Sequence, residues 1–209
     1  MTNKKPMIKE SVGAAYYAFN TPNVSTGDFD PTTFESTVRS PIIKTIGTTE
    51  NGETTPIRAS GEDYDISNKI SSVDLAIEVV AFHADDLAKL RGENVDEGGL
   101  ISSGRPTSRP FIALGFPILK KGDGVKYTWY PKCQLIENTD DIATSEDSFS
   151  EQNDTLTFRA YAFNNDKDYK NYVDSETTNY PEGLTEESFF TKPIITKEDL
   201  DQAVNIGSL

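Results

Sequence analysis

Ser72-Val-Asp-Leu-Ala-Ile-Glu-Val-Val80 decides the fold class. Val73, Leu75, Ile77 and Val79 alternate with Asp74, Ala76, Glu78 and Val80. A period of two sets one group of side chains against a core and the other on an opposite, largely polar face. Further along, Tyr127, Trp129, Pro131, Cys133 and Leu135 alternate in the same way with Lys126, Thr128, Tyr130, Lys132 and Gln134. Pro131 has no amide to donate, so it predicts a sheet edge or a bulge. Other strand candidates lie at 14–19, 37–46, 55–59, 111–118 and 155–163. The chain is therefore mainly β.

Turn chemistry pairs these strands. Glu50-Asn51-Gly52-Glu53 and Lys121-Gly122-Asp123-Gly124 both read as hairpin turns, because Asn-Gly and Asp-Gly accept positive φ. The first belongs to a Thr-, Pro- and Gly-rich segment at about 40–61 with few large side chains to anchor it, and reads as a long arm. A short helix is predicted from Asp85 or Asp86 to Arg91, with acids at its positive end, Lys89 and Arg91 at its negative end, and Gly92 closing it. The stretch 93–110 reads as a Gly/Pro loop. A second helix can start at Thr196 and, following Pro193, dock on a neighbour rather than on its own core. The domain division expected is 1–190 as a β domain and 191–209 as a C-terminal extension with helical potential.

Composition narrows the function classes. The chain has 209 residues, 34 acidic against 20 basic side chains, and a net charge of −14. Fourteen acidic and three basic residues fall within 137–187, so one stretch carries most of the charge. Such a balance opposes phosphate binding, which relies on Lys and Arg displacing counterions. The single Cys133 cannot form an internal disulfide. The first ten residues lack the apolar run of a signal peptide, and nothing approaches a membrane span, which implies a soluble protein made in the cytosol.

Signals of catalysis are sparse. His83 is the only histidine, and a lone imidazole between a strand and a helix reads as structural. Asp166, Asp168, Asp174 and Glu176 miss the spacing of a calcium loop, since Lys170 and Asn171 occupy key positions. Neither a metal site nor a cofactor is expected, and the chain reads as a non-enzyme. Two other classes stay open: an acidic β-sandwich carbohydrate-binding or adhesion module, stacking sugars on Tyr161, Tyr169, Tyr172 and Tyr180, and a hydrolase with paired carboxylates.

An ordered set of segments carries a family likeness: the 72–80 strand, Leu90-Arg-Gly92, Asp96-Glu-Gly-Gly-Leu100, Arg109-Pro-Phe-Ile-Ala-Leu-Gly-Phe116 and Lys126-Tyr-Thr-Trp-Tyr-Pro-Lys-Cys133. It resembles the major tail (tail tube) proteins of non-contractile, long-tailed phages and prophages of Gram-positive bacteria, over roughly 69–163. The resemblance implies a β-sandwich with a flanking helix, a hairpin arm and a C-terminal tail. It also implies self-assembly into hexameric rings stacked as a virion tail tube, with tape measure, tail tip and tail terminator proteins as partners. DNA would pass without specific binding, and no membrane is involved.

Site expectations follow from that likeness. Asp74, Glu78, Asp140, Asp141 and Asp154 are candidates to face the channel, where their charge would repel passing phosphates. Thr48, Glu50, Asn51, Gly52 and Glu53 are candidates for an arm between rings. Arg105 and Arg109 are candidates for charge pairs between subunits.

Overall fold

In chain order the elements are β1 (Lys9–Val12), β2 (Ala15–Phe19), β3 (Val38–Ser40), β4 (Ile43–Ala59), β5 (Glu62–Val79), α1 (Ala84–Arg91), β6 (Asn94–Val95), β7 (Ile101–Ser102), β8 (Ile112–Lys120), β9 (Gly124–Asp140), β10 (Asp154–Ala160), β11 (Asn171–Asp174), α2 (Glu186–Phe189) and α3 (Lys197–Gly207). The computed structural model describes residues 5–59, 62–104, 108–140, 142–144 and 152–208, with backbone alone for 54–59 and 62–69. A nine-stranded antiparallel sheet runs β3-β2-β8-β9-β10-β5-β4, with β1 added to β8 and β11 to β9. The mainly-β expectation holds, as one sheet curled on itself so that both ends pack against a shared interior.

That interior is built by the predicted alternation. Val73, Leu75, Ile77 and Val79 of β5 meet Leu156, Phe158 and Ala160 of β10, Ile112, Leu114 and Phe116 of β8, and Tyr17 and Phe19 of β2. Leu90 of α1 closes one side, and Gly92 caps that helix at φ 68°. Tyr17 Oη donates to Asp86 at 2.5 Å, fixing α1 to β2. The hairpin between β8 and β9 is where it was expected: residues 121–123 form its loop, with positive φ at Gly122 and Asp123, 82° and 63°, and Gly124 already starts β9.

The Tyr127–Leu135 alternation needs correcting. The β8–β9 register shifts between Ile112 and Leu114, so residues 131–132 of β9 form a bulge. A bulge adds one residue and reverses which face the following side chains take. Tyr127 and Trp129 therefore face outward, while Cys133 and Leu135 beyond Pro131 face the interior. The bulge also marks where β9 changes partner, from β11 at 126–129 to β10 at 133–140.

A second apolar cluster lies on the outer side of β2, β8 and β9. Tyr16, Ala113, Tyr127 and Trp129 are covered there by Leu184, Phe189, Phe190, Ile194 and Ala203. The C-terminal segment thus packs on its own sheet, not on a neighbour. Tyr16 and Phe190 stack at 4.1 Å, and Trp129 Nε1 donates to the Phe189 carbonyl at 3.2 Å. Gly115 makes this fit possible, because a Cβ there would lie 2.7 Å from Trp129 and 2.9 Å from Phe190. Thr185 and Thr196 cap α2 and α3 through reciprocal capping boxes.

Buried Lys120 ties the far edge of the sheet, donating to Asp174 at 2.6 and 2.7 Å and to Glu176. Burial alone would lower its pKa, but the two carboxylates outweigh it and raise it.

Candidate functional site

The outer side of the sheet is covered only in part. Across β4, β5, β10 and β9 the residues opposite the interior cluster form three cross-strand rows: Thr45–Glu78–Thr155–Thr139, Gly47–Ala76–Thr157–Glu137 and Thr49–Asp74–Arg159–Gln134. Their partners on the other face, such as Leu75, Ile77, Leu156 and Phe158, are buried. Alternation therefore forces these polar side chains to one surface. Among the described residues, nothing packs over it as the C-terminal segment packs over Tyr127 and Trp129.

Charge on this face is partly organised. Arg159 grips Asp74 with two hydrogen bonds, Nε to Oδ1 at 2.7 Å and Nη2 to Oδ2 at 2.9 Å. That guanidinium holds the Asp74 carboxyl below its ordinary range against the opposing effect of burial. Glu78 accepts from Asn153 Nδ2 at 3.0 Å and from Thr45 Oγ1 at 3.2 Å. Asp154 and Asp140, also expected to face a channel, do not share this face: they stand across from each other at the strand ends in the row of Ile43 and Val79, on the side of the interior cluster. Burial and then the Asp140 charge push Asp154 upward, with Arg91 opposing. Arg91 Nη2 reaches Asp140 at 3.4 Å. Asp141 lies outside the described residues.

The expected arm takes a different shape. Asn51-Gly52 is not a turn: β4 runs through it to Ala59, paired with β5, and the register shift between Asn51 and Gly52 marks a bulge. The extra residue is Ser71 of β5, which stands opposite the Asn51–Gly52 step without a partner of its own in the register. Residues 43–50 belong to the sheet, where Ile43 and Ile46 pack against the interior. Past the point where β10 stops pairing, at Val73, β4 and β5 continue from Asn51–Ser72 to Ala59–Glu62 with only each other as strand partners among the described residues. At about 3.3 Å per residue, the 51–59 strand gives this ribbon a contour of roughly 26 Å.

The ribbon is fastened at its base. Ser71 Oγ donates to the Asn51 carbonyl at 3.1 Å, Tyr169 Oη to the Ile70 carbonyl at 2.7 Å, and Lys170 lies 3.5 Å from Glu50. Of the arm candidates, Thr48 and Glu50 stand in the sheet, opposite Leu75 and Val73; Asn51 is at the base; Gly52 and Glu53 begin the free ribbon.

Arg109 donates to the Leu135 carbonyl at 2.7 Å within its own chain, and Arg105 lies outside the described residues. The tyrosines considered for sugar stacking are dispersed. Tyr169 packs on the interior cluster, Tyr180 on the outer cluster, Tyr161 meets Phe111 edge-on, and the exposed Tyr172 ring carries the Lys126 ammonium at 3.9 Å. Asp174 and Glu176 are held by Lys120, while Asp168 accepts from Asn164. The described residues contain no group of three or more metal-ligating side chains.

Sequence reasoning identified Asp74 and Glu78, and Glu137 only as one member of the acidic 137–187 stretch, but missed Arg159 and the threonines beside them. The alternation of Thr155, Thr157 and Arg159 with Leu156, Phe158 and Ala160 was available; the cross-strand register that joins it to β5 was not. The β6–β7 pair inside the predicted 93–110 loop and the short α2 were also missed. For α2 the usable signal was Thr185 ahead of two glutamates.

Among solved structures the chain is similar to a chain of the anti-feeding prophage (AFP) baseplate, determined by cryo-EM with 6-fold symmetrisation. That match has a TM-score of 0.47 and 13% identity, and covers 83% of this chain and 99% of that one. No curated protein matches the sequence. The phage tail tube protein family model matches residues 43–198, from the first residue of β4 into α3. The chain belongs to the phage tail tube protein family and is a structural component of a phage tail.

Proposed function

We propose that the protein is the major tail protein of a non-contractile, long-tailed phage, assembling into hexameric rings that stack into the tube of the virion. The polar face of β4, β5, β10 and β9 lines the channel, and the β4–β5 ribbon reaches the adjacent ring. The observation that carries this reading is a sheet face polar in each cross-strand row and left uncovered while the adjoining half is sealed. Closing such sheets side by side removes their open edges. A ribbon with two strands gains its lasting order from a further partner.

Carboxylates on the channel wall repel the phosphates of DNA, so the genome slides past without specific binding. On this reading 1–190 is the tube domain and 191–209 an extension laid on it. No residue has a catalytic role and no cofactor is required. The chain is made in the host cytoplasm and joins tape measure, tail tip and tail terminator proteins.

Negative-stain microscopy of the purified protein at rising concentration tests the assembly. Rings or tubes are expected; monomers that bind a glycan would overturn it in favour of an adhesion module. Asp74→Lys with Glu78→Lys should leave tubes intact but slow genome delivery, and unchanged delivery would remove the channel assignment.

A further inference from the structure

Where the sheet curls back on itself, β1 approaches β4 without pairing to it, and a cavity of about 420 Å³ opens at the seam. Its apolar lining includes Phe116, Ile118 and Tyr130, and its polar lining includes Lys9, Lys126 and Lys170. Lysines gathered in a hollow are unusual in a chain of charge −14. Their ion pairs explain only part of the arrangement. Lys170 lies 3.5 Å from Glu50. Lys120, the cross-strand partner of Lys9, is committed to Asp174 and Glu176. Lys9 and Lys126 have no carboxylate within salt-bridge distance among the described residues, although Glu10 shares the lining.

Lys126 is half-buried, resting on the Tyr172 ring at 3.9 Å. Burial lowers its pKa, Asp174 opposes that, and the charges of Lys170, Lys9 and Lys120 lower it further. An ammonium so placed is stabilised by an incoming anion, since a partly desolvated charge without a partner is costly. Thr128 supplies an independent sign. It lines the same cavity, is 3% exposed, and its Oγ1 has no hydrogen-bond partner. Buried hydroxyls are normally satisfied.

We propose that this cavity is a carboxylate-binding site, filled in the assembled tube by an acidic side chain of a second copy of the chain. The apolar walls suit the methylenes of Asp or Glu, and Lys9, Lys126 and Thr128 offer donors to its oxygens. Charge complementarity selects the occupant: each copy carries fourteen acidic residues within 137–187, and Glu137 is exposed on the uncovered face. The occupant rests on the self-assembly reading; the anion chemistry of the cavity does not.

Two measurements on the full chain separate those parts. In the monomer, acetate titrated by NMR should shift the Thr128 amide and Lys126 signals saturably, and Lys126→Met, which preserves the stem, should abolish the effect. In assembly, Lys126→Met should raise the concentration needed for tubes by about tenfold or more, the loss expected for a charged hydrogen bond. Lys170→Met, on the cavity rim, serves as a second variant with less risk to folding. No saturable acetate shift in the wild type would overturn the site. A saturable shift with an unchanged assembly threshold would overturn the second copy as its source. Wild-type monomers that form no tubes and bind a glycan would instead refute the assembly reading.

Discussion

The two halves of the outer sheet surface share one backbone and have opposite fates. On β2, β8 and the first part of β9, Tyr16, Tyr127 and Trp129 are sealed under Phe189, Phe190 and α3. On β4, β5, β10 and the last part of β9, threonines, Asp74, Glu78, Glu137 and Arg159 stay uncovered. The bulge at Pro131 sits between them on β9. A single extra residue thus lets Tyr127 and Trp129 face the sealed outer side while Cys133 and Leu135, at the same odd positions further along, face the interior. The covered half holds the C-terminal segment to the sheet; the bare half is the face proposed to line the channel.

The sharpest way to break this contrast is Trp129→Ala. Its indole is 0% exposed and bonded to the Phe189 carbonyl, so urea unfolding should show a loss of about 3–5 kcal/mol. Gly115→Ala comes next. The added Cβ meets the Trp129 and Phe190 rings, and overpacking of this kind costs about 1–3 kcal/mol by the same assay.

Lys120→Met should cost about 1.5–3 kcal/mol at neutral pH through its lost charged hydrogen bonds, with a pH signature of its own. Burial works to raise Asp174, but Lys120 and a backbone amide outweigh it and hold it low; for Glu176 the Lys120 bond is the leading cause of the same direction. Carboxylates lowered on folding add stability above their unfolded pKa values, near 4, and lose it as the pH falls through the folded values. The difference between wild type and Lys120→Met should therefore narrow in acid titrations below about pH 4. Thr157→Ala, in the middle of the bare face, should change stability by no more than about 0.5 kcal/mol.

These same features show what a sequence can disclose. Local requirements were readable: Gly122-Asp123 turns because both residues need positive φ, and α1 ends at Gly92 for the same reason. Alternation set Asp74 and Glu78 apart from Val73, Leu75 and Ile77. Features set by distant partners were not readable. Asn51-Gly52 has the local chemistry of a turn, yet β5 holds it in a continuous strand. The split of the Tyr127–Leu135 alternation depends on register with β8, and the pairing of Arg159 with Asp74 depends on register across 85 residues of chain. The docking of α3 on its own sheet required knowing that Tyr127 and Trp129 offer an apolar outer face.

The claim that the bare face lines the channel is tested most directly by Thr157→Cys. The one native thiol, Cys133, is fully buried, and burial pushes its pKa up, so it stays silent to maleimides. Monomers of the variant should react with both a small maleimide and a bulky polymer-linked one. In assembled tubes the small reagent should still label Cys at this position, while the bulky one is excluded. Equal labelling of intact tubes by the bulky reagent would put the face on the outside and contradict the account.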